Sequence, residues 1–262
     1  MKERVISAII ALLITVPLIL LGGVYFQILV VILGLIGLYE LLKPKKNIPV
    51  MMKYISYVLF IMLISSGYVY KDGIYILNFS LILIVLLILM LSMLYYHNNK
   101  KYGIEDIFYL FGSIVFLSAA FNLFIVIREK GLMLTIYLFL ITTMTDTFAY
   151  IIGSKKGKKK LLPEVSPNKS VEGFIGGLVV GTVVASLFYY FCVARTNILL
   201  VVFVTMILSI VGQCGDLVFS QIKRYFGIKD YSNLMPGHGG VLDRLDSMIF
   251  VLFGYIIISV IL

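Results

Sequence analysis

Apolar runs of about 20 residues follow one another along almost the whole of this 262-residue chain. Each is long enough to cross a hydrocarbon core of ~30 Å as an α-helix. Only 13% of the residues are charged and 61% are hydrophobic, where a soluble domain carries about a quarter charged, and the mean hydropathy is +1.07. The strict alternation that a transmembrane barrel needs is missing. The expected fold is therefore an all-α polytopic membrane protein.

Breaking the chain at its charged and Gly/Asn/Pro clusters predicts nine spans. They cover residues 5–22, 24–42, 54–70, 75–96, 107–127, 132–153, 173–193, 198–222 and 243–262. The last run is purely apolar only from Met248 to Leu262, so its helix is expected to start back at Asp243. The amino terminus has the basic start of a signal peptide, but its apolar part is long and no small-residue cleavage site follows, which predicts an uncleaved first span. Of the 22 Lys and Arg residues, 18 fall at the amino terminus or in the loops after spans 2, 4, 6 and 8. Basic residues gather on the cytoplasmic side, so the amino terminus is expected in the cytoplasm and the carboxyl terminus outside. The net charge of +9 thereby reads as topology, and no nucleic acid is expected as a partner. Cys192 and Cys214 have no partner spacing and read as packing residues.

Spans 1 to 5 carry almost no ionisable residue, so residues 1–131 read as a scaffold, with a surface for lipid chains or for a second copy in a homodimer. Residues 132–262, with loops 154–172 and 223–242, read as the catalytic region. An acid inside a span is a functional candidate because its burial is costly. Asp146 lies seven residues before Gly153, and Asp216 seven before Lys223, which places both about 10 Å below the cytoplasmic ends of their helices. Asp243 and Asp246, three apart, share one face at the start of the last span. Four carboxylates from three helices thus reach one level, where a cation would relieve their repulsion. Hard oxygen ligands suit Mg²⁺, which takes one or two carboxylates and fills its sphere with water and phosphate. Zinc is not expected, since His97 and His238 are the only histidines and sit in different loops. Simpler roles exist for some of these acids: Asp146 as a hydrogen-bonded tie between helices, Asp243 as a helix cap.

Basic groups surround the acids. The loop from 154 to 172 brings Ser166, Lys169 and Ser170 to a Gly-rich helix start, and helix amino termini bind anions. The run from Lys155 to Lys160 reads rather as a topology anchor or a contact with anionic lipid. After span 8, Lys223, Arg224 and Lys229 repeat the pattern, and the turn containing Gly239 and Gly240 has a backbone able to approach a phosphate.

The stretch Ser220 to Asp246, "SQIKRYFGIKDYSNLMPGHGGVLDRLD", resembles the signature of the phosphatidate cytidylyltransferase (CDP-diacylglycerol synthase) family. Ser220, Lys223, Arg224, Lys229, Asp230, His238, Gly239, Gly240, Asp243, Arg244 and Asp246 occupy its fixed positions. "SPNKSVEG" is similar to a second family block, departing from it at Asn168 and Ser170, and "DTFAYIIG" is similar to a third. The resemblance covers about residues 140–262. It implies reaction of CTP with phosphatidic acid to give CDP-diacylglycerol and pyrophosphate, with Mg²⁺, in phospholipid biosynthesis, at the cytoplasmic face; a compact polytopic chain with no targeting peptide suits a bacterial plasma membrane. On that reading Asp216, Asp243 and Asp246 hold the cation with Asp146 close by. Lys169, Lys223, Arg224 and Arg244 neutralise phosphates, His238 orients or protonates a phosphate oxygen, and Ser166, Ser170, Ser220, Lys229, Asp230, Gly239 and Gly240 complete the substrate site. Two rivals stand beside it: a cation transporter, which would spread its ionisable residues toward the bilayer midplane, and a cytidylyltransferase for another lipid phosphate, such as an isoprenoid-ether lipid.

Overall fold

The computed structural model describes residues 2–66, 68–71, 74–99, 101–234 and 239–261, with side chains throughout except at 2–8 and 66–77. Nine α-helices occur among the described residues, in the order of the nine predicted spans. They are α1 (Lys2–Leu21), α2 (Gly23–Leu42), α3 (Val50–Ser66), α4 (Phe79–Tyr95), α5 (Ile104–Lys130), α6 (Leu132–Lys156), α7 (Val171–Phe188), α8 (Ile198–Tyr225) and α9 (Leu242–Ile261). Six of them, α2 and α5 to α9, are long and apolar enough to cross a membrane, α7 when its π-helical continuation to Val193 is counted; the apolar parts of α1, α3 and α4 are shorter. The protein is a multi-pass helical membrane protein.

Two places depart from the expected layout. The predicted third and fourth spans lose their facing ends to an antiparallel hairpin of β1 (Tyr68–Lys71) and β2 (Ile74–Leu77). Apolar character alone cannot separate helix from strand, and these segments are rich in the aromatic and β-branched residues that strands favour. Helix α4 then starts only at Phe79, after Asn78 accepts a hydrogen bond from the Leu81 N–H at 3.4 Å. The second departure lies in the loop after α6, where β3 (Lys160–Leu162) pairs with β4 (Ser166–Ser170) through an irregular register.

The contacts divide the chain into two units, residues 1–125 with 234–241 and residues 126–233 with 242–262. The sequence reading divided it at 131/132; the stretch 234–241 here belongs with the amino-terminal part. In that first unit Gly34 of α2 lets Phe60 of α3 and Phe121 of α5 close in, both fully buried. Polar ties hold the helix ends: Tyr109 donates to the Leu41 carbonyl at 2.6 Å, Asn122 to the Ile64 carbonyl at 3.1 Å, and Lys45 pairs with Asp106 at 3.1 Å.

The second unit packs α6, α7, α8 and α9. Gly173, Gly177 and Gly181 recur every four residues on α7, and a Cβ at Gly177 would stand 2.5 Å from the Thr145 carbonyl oxygen of α6. Small residues at this spacing let helices in a bilayer approach closely. Gly215 does the same for α8 and α9, where a Cβ would stand 2.9 Å from the Asp246 carbonyl oxygen. Buried hydroxyls join the helices at Tyr137–Thr205 and Thr145–Ser209, both 2.8 Å. Cys192 and Cys214 are free and exposed, which corrects the reading of them as interior packing residues.

Candidate active site

The two glycine contacts explain how four acids and three basic groups come within one unit. Close packing of α7 on α6 brings the strand before α7, with Lys169, toward the helix that carries Asp146. Close packing of α9 on α8 does so for Asp246 and Asp216. Lys169 pairs with Asp216 at 2.6 Å, each about a quarter to a third exposed (30% and 26%), so the pair is open to an incoming ligand. The other Asp216 oxygen accepts from the Ser220 hydroxyl, one turn along α8, at 3.3 Å. Asp146, Asp216 and Asp246 lie within electrostatic range of one another, with Lys169 acting on Asp146 and Lys223 on Asp246. Asp146 is exposed and shares a small pocket with Thr145, Ser209, Gln213 and Ser247. Asp246 is buried and accepts from the Ser247 N–H at 2.7 Å.

Asp243 has different company. One oxygen pairs with Lys223 at 2.7 Å, with the two side chains 6% and 10% exposed, and the other accepts the Tyr231 N–H at 2.9 Å. Tyr231 is itself buried, donates its hydroxyl to the Phe219 carbonyl at 3.3 Å, and lies 5.5 Å beneath the Lys223 ammonium. Asp243 thus ties the loop after α8 to the first turn of α9. Sequence reasoning missed Tyr231, because nothing in "KDYSN" marks a buried aromatic.

Ser170 is the N-cap of α7, accepting from the Gly173 N–H at 3.1 Å, and Glu172 accepts from the backbone N–H groups of Lys158 at 3.0 Å and Lys159 at 3.2 Å. Lys169 and the lysine run are therefore held on one folded loop. Arg224 extends this by donating to the Val165 carbonyl of the β3–β4 turn and to the Ile228 carbonyl, both 3.2 Å. Ser166 is half-buried on β4, and Lys229, Asp230 and Arg244 are exposed. His238 lies outside the described residues. Gly239 has a φ of 82° in the first unit, the left-handed region that favours glycine, and a Cβ at Gly240 would overlap the Glu40 carboxyl group.

Among the described residues no set of three or more His, Cys, Asp and Glu side chains is arranged as a ready metal cage. The donor chemistry still fits a hard cation of the Mg²⁺ type, which needs only one or two carboxylates. Asp216 and Asp246, with Asp146 alongside, are oxygen donors in electrostatic range of one another; the Asp216 oxygens are engaged by the part-exposed Lys169 and by Ser220, whereas those of Asp243 are held in a nearly enclosed setting by Lys223 and the Tyr231 N–H.

Residues 2–262 match the profile of the cytidylyltransferase family. Proteins named phosphatidate cytidylyltransferase match over 96% of this chain and 96% of their own length: 41% identical in Staphylococcus haemolyticus, 38% in Staphylococcus aureus and 37% in Staphylococcus epidermidis. With its whole length matched, the chain belongs to the cytidylyltransferase family.

Proposed function

We propose that this chain transfers the cytidylyl group of CTP to phosphatidic acid, forming CDP-diacylglycerol and pyrophosphate for phospholipid biosynthesis. The protein is a nucleotidyltransferase by family, and phosphatidate is the acceptor for which its relatives are named. The observation that carries the reading is the part-exposed Lys169–Asp216 pair beside Asp146 and the buried Asp246, three acids on membrane helices with a lysine from the strand before α7. A lipid phosphate and a nucleotide triphosphate together need that mixture: cations for the phosphates and carboxylates to hold the cation.

In the reaction a phosphate oxygen of phosphatidic acid bonds to the α-phosphorus of CTP, and the bond from that phosphorus to the bridging oxygen of pyrophosphate breaks. A phosphomonoester is already largely ionised at neutral pH, so no strong general base is required, and catalysis rests on alignment and charge neutralisation. Bound Mg²⁺, held by Asp216 and Asp246 with Asp146 close by, would supply that charge at the phosphates. With Asp216 holding Mg²⁺, Lys169 would be released from that carboxylate to bind a phosphate oxygen. Arg224 and Arg244 meet the pyrophosphate side, and Lys223 reaches the site from its anchor on Asp243. The basic loops support a site at the cytoplasmic face of the plasma membrane, the side on which CTP is available.

The test is pyrophosphate release by detergent-purified protein with CTP, phosphatidic acid and Mg²⁺, each omitted in turn. Release that needs all three, with a CDP-lipid formed, supports the proposal. Turnover only with another lipid phosphate, such as an isoprenoid-ether lipid, overturns the acceptor and keeps the chemistry; silence with every lipid overturns both.

A further inference from the structure

Glu40, three residues before the basic end of α2, is 0% exposed, although an acid within a membrane helix is costly to bury. Its Oε1 accepts the Val241 N–H at 3.0 Å across 201 residues of chain. The contact is tight, since any side chain at Gly240 would overlap the same carboxyl group. The two glycines of "HGG" therefore have separate causes: Gly239 for its φ of 82°, Gly240 to admit Glu40. The held turn leads straight into the last helix. Val241 is bonded to Leu242, the first residue of α9, and Asp243 and Asp246 follow within five residues. Both ends of the contact also belong to the side that the basic residues mark as cytoplasmic, one at the end of the second span and one in the loop after the eighth.

We propose that Glu40 is a positioning residue for nucleotidyl transfer. Its carboxyl group pins Gly240 and Val241, the residues that lead through the chain directly into α9, the helix that carries Asp246 and Asp243. This rests on the transferase reading above. A hydrogen bond of this kind acts by placement, so its loss lowers kcat while substrate affinity holds; a misplacement of about 1 Å costs on the order of 10²-fold.

The experiment compares wild type, E40A, E40Q, G240A and the E40A/G240A double variant, all full length in detergent, for kcat and KM with CTP and phosphatidic acid, corrected for folded protein by thermal melting. E40A is expected to lose about 10²-fold in kcat with both KM values within about threefold. E40Q, which keeps the acceptor oxygen, recovers most of the loss. G240A is as damaging as E40A in the native background yet adds under about threefold to it, because the overlap has gone. An E40A enzyme with native kcat, an E40Q enzyme as poor as E40A, or additive effects of the two changes would each overturn the proposal. A defect that vanishes on correction for folded protein overturns it too, by leaving Glu40 only a structural part. Should E40A not fold, E40Q and G240A carry the same comparison. An inactive wild type, by contrast, is failure of the transferase reading itself.

Discussion

Asp216 holds Lys169 on one oxygen and Ser220 on the other, so its charge and its shape can be tested apart. Asp216→Asn keeps the shape and one acceptor oxygen, turns the other edge into a donor from which the Ser220 hydroxyl can accept, and removes the charge. It is expected to lower kcat/KM by about 10²–10³-fold, read as CDP-lipid formation, with the melting temperature little changed because the pair is open to solvent. A native rate would remove Asp216 from the cation-binding set. The Lys223–Asp243 pair is the opposite case, nearly enclosed. Removing one partner of such a pair strands the other, at about 3–5 kcal/mol. Lys223→Met should therefore lower the melting temperature as well as the rate, and Lys223→Met with Asp243→Asn should recover stability without recovering activity. If the single variant melts like wild type, the pair is not holding the loop to α9.

At the scale of elements, the site depends on how closely α7 lies on α6. Gly177→Val would drive a branched side chain into the Thr145 carbonyl and Ala149, which leave no room even for a Cβ. The expected result is loss of monodisperse protein, or a sharply lower melting temperature by fluorescence-detected size exclusion. Gly112→Ala is the control: it lies within α5, and its Cβ would meet nothing within 4 Å, so the better helix former should hold or raise stability, by up to about 1 kcal/mol. Equal tolerance at the two positions would mean that α6 and α7 are not in close contact. The glycine spacing on α7 was open to view in the sequence, but as a helix start near a phosphate loop; its use as a packing stripe needs the partner helix, which no single run of residues reveals. Glu40 shows a different failure. It obeys the same rule that singled out Asp146 and Asp216, yet three residues before Lys43 it passes for an interfacial acid. Only its partner, 201 residues away, shows that it is buried. The acids of α6, α8 and α9 were legible because charge stands out against apolar sequence; what could not be read was which of them had its oxygens taken, since that depends on Tyr231 and the loop geometry.

For the whole molecule, the distribution of charge predicts an orientation that vesicle assays can read. The segments that carry Lys155 to Lys160, Lys169, Lys223 and Arg224 cross a membrane less readily than the nearly neutral loops after α1, α3, α5 and α7, so the basic side is expected to stay where synthesis occurs. The proposed site residues sit on that same side, because Lys169 and Arg224 are at once topology signals and partners of Asp216 and the β3–β4 turn. Orientation and catalysis are therefore coupled: an inverted protein would offer its site to a compartment without CTP. CTP is too highly charged to cross a sealed bilayer. Inside-out vesicles should then consume added CTP without detergent, and right-side-out vesicles only once detergent opens them. A second label checks the direction independently. After Cys192 and Cys214, both exposed, are replaced by serine, a cysteine at Lys158 should react with an impermeant maleimide in inside-out vesicles, and one at Ser259 in right-side-out vesicles. Reaction of both from the same side would require an even number of crossings between residues 158 and 259, so that one of α7, α8 and α9 does not cross.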